Sequence, residues 1–138
     1  IIPQAVVQEF QHPNTPPSVH NWINNPPSWI EIRSATVLDP TINLGAGETE
    51  AISLAIELAA DQLLIDERKA RKLAVARGYA VTGTLNILDY AACQGLVDLP
   101  TAIAKLQQTT FRAPSALVQM LLQQDALRKQ AKWKLISL

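Results

Sequence analysis

Carboxylates stand at two places in this sequence where an α/β protein could hold a metal ion. Asp66 directly follows the apolar run from Gln62 to Ile65, which reads as a buried strand, so it lies at that strand's carboxyl end. Open α/β sheets bind their ligands at those ends. Glu48 and Glu50 open the helix expected before that strand. Two residues apart, they are separated by roughly 200° around a helix, so both cannot face one site. A hard cation such as Mg²⁺ takes oxygen ligands, usually one or two carboxylates plus water. Three or four carboxylates from separate elements could hold one or two ions and activate water for phosphodiester hydrolysis. The same residues have structural readings too. Glu48 and Glu50 would complement the positive end of their helix, and Asp66 could cap the next one.

Basic residues follow immediately. Arg68, Lys69, Arg71, Lys72 and Arg77 lie on one expected helix, and positions 68, 71 and 72 share a face. That face could track phosphates beside a cation, or simply be solvated. The formal net charge is zero, yet the charge is unevenly spread. Residues 1–65 hold seven acids against one base, Arg33, whereas residues 66–138 hold eleven bases against five acids. Such an asymmetry suits a cation site beside a polyanion track, or two complementary faces of a homodimer. Other chemistries find little support. His12 and His20 lack zinc-site spacing, and the single cysteine, Cys93, excludes an internal disulfide framework. Cys93 reads as a buried small residue among Leu85, Leu88, Ala92 and Leu96. Trp22 and Trp29 read as core and Trp133 stands apart, which leaves few stacking platforms for bases.

The elements that must position these residues follow from periodicity. With 138 residues, 48% of them hydrophobic and 17% charged, the chain suits one globular domain over 1–138, with 99–138 as its helical C-terminal section. It carries no apolar run near the ~20 residues of a membrane span and no signal-like start, so a soluble, cytoplasmic protein is expected. Ile1-Ile2 reads as a strand end, and Pro3 as the first position of a helix reaching Gln11. Ser18 is expected to cap a short helix, Trp29 to Ile32 to form a strand, and Gly45-Ala46-Gly47 to be a flexible hinge. Then come a helix from Glu48 to Ala60, the strand 62–65, a helix from Glu67 to Arg77 and a strand from Tyr79 to Val81. A helix ending near Gln94, with Gly95 as its cap, follows, and two more start at Pro100 and Pro114. This rhythm implies parallel strands joined by crossover helices.

Three motifs carry a resemblance. Leu44-Gly45-Ala46-Gly47-Glu48-Thr49-Glu50-Ala51-Ile52, Leu63-Leu64-Ile65-Asp66 with Ala70-Arg71, and Val81-Thr82-Gly83-Thr84-Leu85 are similar to a bacterial branch of the PIN superfamily. The opening Pro3-Gln4-Ala5-Val6-Val7-Gln8-Glu9 also resembles the P-x-x-V-x-x-E helix of PIN domains. The resemblance covers nearly the whole chain. It implies a three-layer α/β/α fold with a short central parallel sheet. It also implies a Mg²⁺- or Mn²⁺-dependent endoribonuclease, often the toxin of a toxin–antitoxin pair. The family's acidic cluster falls on Glu9, Glu50 (with Glu48 as competitor) and Asp66, and its turn on Thr82 and Thr84; Arg71 lies in its A-R step. The family's first strand, which carries an aspartate and sits at the middle of the sheet, has no counterpart in this sequence. Asn86 and Ala92-Cys93 also depart from the branch. The implied partners are RNA, an antitoxin protein and a second copy of the chain. The rival expectation is a catalytically degenerate scaffold that binds protein or RNA, with the Leu117, Leu121 and Leu122 stripe contacting a partner or its own domain.

Overall fold

The computed structural model describes residues 1–136, with side chains through residue 131, so Trp133 lies outside the described side chains. The chain divides into two compact units, Ile1–Thr82 and Gly83–Leu138.

The first unit opens with β1 (Ile2–Pro3), which runs directly into α1 (Gln4–Phe10). Pro3 is the helix N-cap and not its first residue as expected; its φ of −61° suits the end of a strand as well as the start of a helix. The second helix, α2 (Pro17–Asn24), begins on Pro17 with Pro16 as N-cap, two residues before the cap expected at Ser18. Proline at the first helical position lacks only an N–H that would have gone unpaired. Strand β2 (Ile32–Arg33) pairs in parallel with β1, Ile2 opposite Ile32 and Pro3 opposite Arg33. The strand expected over Trp29–Ile32 is therefore displaced towards Arg33. Its first half is a turn closed by the Ile30 N–H on Pro27 O, and Trp29 is 77% exposed. Trp22 is exposed as well, so neither tryptophan belongs to the core.

Helix α3 (Ala46–Leu58) is the spine of this unit and packs on α1, β1 and β3. Ile52 to Ala55 are all buried, as contacts on more than one side require. The expected hinge at 45–47 is instead the helix start, with Gly45 as N-cap. Strand β3 (Gln62–Leu64), helix α4 (Arg68–Ala76) and strand β4 (Ala80–Thr82) complete the unit. Strands β3 and β4 are parallel, with Leu63 opposite Val81 and Leu64 opposite Thr82. Ala70 and Ala74 are fully buried against Ile52, Leu63 and Ile65, because small side chains let α4 approach the strands closely. The φ of +86° at Gly78 ends α4 in the left-handed region that glycine tolerates. The strands thus form two two-stranded parallel sheets, β1–β2 and β3–β4, where one sheet was expected.

The second unit is helical: α5 (Thr84–Cys93), α6 (Leu99–Gln107) and α7 (Ser115–Ile136). Leu85, Leu99, Ile103, Val118 and Leu121 form its core, with Leu117 and Leu122 packed against them. The leucine stripe of α7 therefore packs within its own unit. Asp125, buried on α7, pairs with Arg128 (3.4 Å) and Lys129 (2.9 Å), which reach on to Asp89 of α5 and to Asp98, the N-cap of α6. Cys93 is exposed, contrary to its expected burial, because it is the last residue of α5 and lies outside this core. Among the described residues no helix is long and apolar enough to cross a membrane.

Candidate functional site

Two helices of the first unit cap each other. Neither α1 nor α3 has a side-chain cap of its own, since their N-cap residues are Pro3 and Gly45. Glu50 of α3 fills the gap at α1: its Oε2 accepts the N–H of Ala5, in the first turn of α1, at 2.5 Å. Its Oε1 accepts the Ala35 N–H at 3.2 Å, which also fixes the segment after β2. In return Glu9 Oε1, on α1, accepts the N–H of Gly47 in the first turn of α3 at 3.2 Å. Each carboxylate thus sits at the positive end of the other's helix, where charge-assisted bonds to N–H groups are strongest.

The glycines make this possible. A Cβ at Gly47 would come within 2.8 Å of Glu9 Oε1 and 3.0 Å of Val6 Cγ2. A Cβ at Gly45 would collide with Glu48 Oε2, since the Glu48 side chain folds back over its own helix start. Glu9 and Glu48 therefore both lie against the first turn of α3. Glu50, as the 200° separation requires, points elsewhere and is buried.

The second group forms around the end of β3. Asp66 is exposed just beyond the strand, and the cap of α4 falls on its neighbour: Glu67 Oε2 accepts the Ala70 N–H at 2.7 Å. The capping alternative for Asp66 is thereby filled by another residue. Arg71 Nη1 donates to Ile65 O at 2.8 Å, tying α4 to the residue before Asp66. Arg68, Lys69 and Lys72 are exposed on the same helix. Arg77 leaves this group; it pairs with Asp39 Oδ2 at 2.6 Å and donates to Thr41 Oγ1, pinning the 39–41 loop. The hydroxyl and N–H of Thr41, with Arg77 beside them, hold the Asp39 carboxyl below its ordinary range. Thr82 is buried opposite Leu64, and its carbonyl accepts the Ile65 N–H at 3.0 Å, so it lies beside the same strand end. Thr84 is the first residue of α5, in the second unit.

Sequence reasoning missed the mutual capping, the cap at Glu67 and the Asp39–Arg77 pair. The first had a signal, two glycines spaced i, i+2 at a helix start. The pair joins residues 38 positions apart with no motif between them.

These carboxylates suit a hard divalent cation in donor type. Among the described residues no three His, Cys, Asp or Glu side chains stand together as a ready-made cage. A cage is not required, because Mg²⁺ is commonly held by one or two carboxylates, water and substrate phosphates. Asp66 stands beside the basic helix and Glu9 with Glu48 at the first turn of α3, while each Glu50 oxygen already accepts one backbone N–H. No curated protein and no solved structure matches the chain. A family model described as a PIN domain matches residues 1–126.

Proposed function

The chain belongs to the PIN-domain family, a family of nuclease-type domains of three-layer α/β/α class that generally use divalent metal ions, and from that premise we propose that it is a metal-dependent endoribonuclease. The observation that carries this reading is Asp66, exposed at the carboxyl end of β3 and followed at once by the exposed bases of α4. A carboxylate next to cations is what hydrolysis of a polyanion needs.

In this reading Asp66 offers one carboxylate to Mg²⁺ or Mn²⁺ and Glu9 with Glu48 offer another pair, each completed by water and substrate phosphates rather than by a three-residue cage. When bound, such an ion polarises the phosphodiester and lowers the pKa of attacking water. The chain's own residues do the rest. Arg68 and Lys72 hold the flanking phosphates, which positions RNA without reading its sequence. Arg71, anchored on the Ile65 carbonyl, keeps α4 beside Asp66 and has guanidinium N–H groups to spare for a phosphate. Thr82 supports the strand end from β4. Glu50 acts by position: it holds α1 so that Glu9 meets the start of α3. Action as a toxin controlled by an antitoxin, a homodimeric state and a cytoplasmic location belong to the same proposal.

Incubating the chain with a labelled RNA pool, in Mn²⁺ or in EDTA, tests it. Cleavage in Mn²⁺ that EDTA abolishes supports the nuclease, and cleavage indifferent to EDTA contradicts it. A second reading, a degenerate scaffold that binds RNA or protein without cutting, is favoured by Glu50 having both oxygens on backbone amides. RNA retained on a filter but uncut in either buffer would select that reading.

A further inference from the structure

The helical unit holds a cavity of about 330 Å³ among α5, α6 and the start of α7. Leu85 of α5, Ile103 of α6 and Val118 of α7, all buried, line its inner side together with the half-buried Phe111. Gln107 and Arg112, both exposed, are the polar side chains in its lining and form its rim. The volume falls at the small end of the ~300–1,000 Å³ range of small-molecule sites, whose usual make-up is apolar walls with a few convergent polar groups. Arg112 is already oriented. Its Nη1 donates to Thr109 O and to Phe111 O, each at 3.3 Å, which folds the side chain back over the turn before α7. A guanidinium has five N–H donors. Those two bonds use the pair on Nη1 and leave the edge formed by Nε and Nη2. Among the described residues no carboxylate pairs with Arg112. Helix α7 starts at Ser115, between the lining residues Ala113 and Val118, so its positive end adds to the same rim.

Wall and rim together define the occupant. An uncharged apolar molecule would leave the arginine edge unused, and inorganic phosphate would leave the apolar wall uncovered. A nucleobase would bury its polar edges against Leu85, Ile103 and Val118 without partners, which is costly. A carboxylate fits the free edge of Arg112, because a guanidinium fork takes both carboxylate oxygens side by side. We propose that this cavity is a binding site for a small carboxylic acid with an apolar body, an aromatic ring or a branched chain. Its carboxylate lies on the Nε–Nη2 edge of Arg112, and its body enters between Leu85, Ile103 and Val118. One such molecule touches α5, α6 and α7 at once, so its binding stabilises the unit by mass action. The proposal stands independently of the nuclease reading.

Titration of the 138-residue chain with phenylacetate and with isovalerate, followed by methyl NMR spectra, tests it. At least one of the two acids should shift the methyl signals of Leu85, Ile103 and Val118 saturably, with a Kd below about 1 mM. The corresponding uncharged amide, phenylacetamide or isovaleramide, should bind at least tenfold more weakly. Arg112→Gln changes an exposed side chain and leaves the walls intact. It should weaken the acid at least tenfold and the amide less than twofold, because only the acid uses the charge. Four results overturn the proposal: no saturable shift with either acid, equal affinity for acid and amide, unchanged affinity for the acid in Arg112→Gln, or shifts of the same methyl groups by uridine monophosphate at lower concentrations than by the acids. The last would mark a nucleotide site instead.

Discussion

At the scale of single residues, the acids of this protein divide by position. Glu50 is buried with both oxygens on backbone N–H groups, Glu9 gives one oxygen to Gly47, and Asp66 is exposed at a strand end. Glu50→Gln removes the charge from two hydrogen bonds to backbone N–H groups and turns one acceptor into a donor facing an N–H. It should cost about 1–3 kcal/mol of stability, read from the midpoint of urea unfolding. Gly47→Ala should cost a similar amount, about 1–3 kcal/mol, because its Cβ would press on Glu9 and Val6. Asp66→Asn should leave the fold intact, read as a far-ultraviolet signal equal to that of wild type, because Asp66 is exposed just beyond a strand end. Part of this division was legible beforehand. The two-residue spacing of Glu48 and Glu50 already required that only one face a given site. Which one turns inward depended on Ala5 and Ala35, whose amides no sequence motif marks.

At the scale of elements, the helices were readable because each carries its own periodicity and punctuation. Gly78 and Gly95 end α4 and α5 at positive φ as their positions implied. The short strands were less so: β2 is two residues whose pairing with β1 is a tertiary fact, and the alternation of Trp29 to Ile32 marked its position only approximately. The tryptophans misled for the same reason, since the core of this unit is built from Ile, Leu and Ala around α3 and α4. Ala70 and Ala74 set how closely α4 approaches the strands. Ala70→Leu should overpack that contact and destabilise by about 1–3 kcal/mol, with loss of the near-ultraviolet signal before the far-ultraviolet one. In the helical unit, Lys129 Nζ at 2.8 Å, together with the hydroxyl and N–H of Thr101, lowers the Asp98 carboxyl to about 2. Its ordinary value is 3.8, so the native state binds this proton less readily than the unfolded chain does. The stabilisation is present above about pH 4 and is lost as pH falls towards 2. Asp98→Asn should therefore flatten the fall of the melting temperature over that window while lowering it at neutral pH.

At the scale of the whole molecule, the sequence carried the family and the α/β class through three motifs that are weak singly and specific together. It also carried the charge asymmetry that places acids before Asp66 and bases after it. It implied one sheet where there are two, because periodicity shows which segments are extended but not which edges meet. The proposed nuclease depends on Asp66 working with Mn²⁺ or Mg²⁺ to cut RNA. The most direct test compares wild type and Asp66→Asn, matched for far-ultraviolet signal and unfolding midpoint, for cleavage of one labelled RNA across a Mn²⁺ titration. Wild type should cleave in a metal-dependent way, and the variant at least a hundredfold more slowly at every Mn²⁺ concentration. Equal metal-dependent cleavage by both proteins would contradict it.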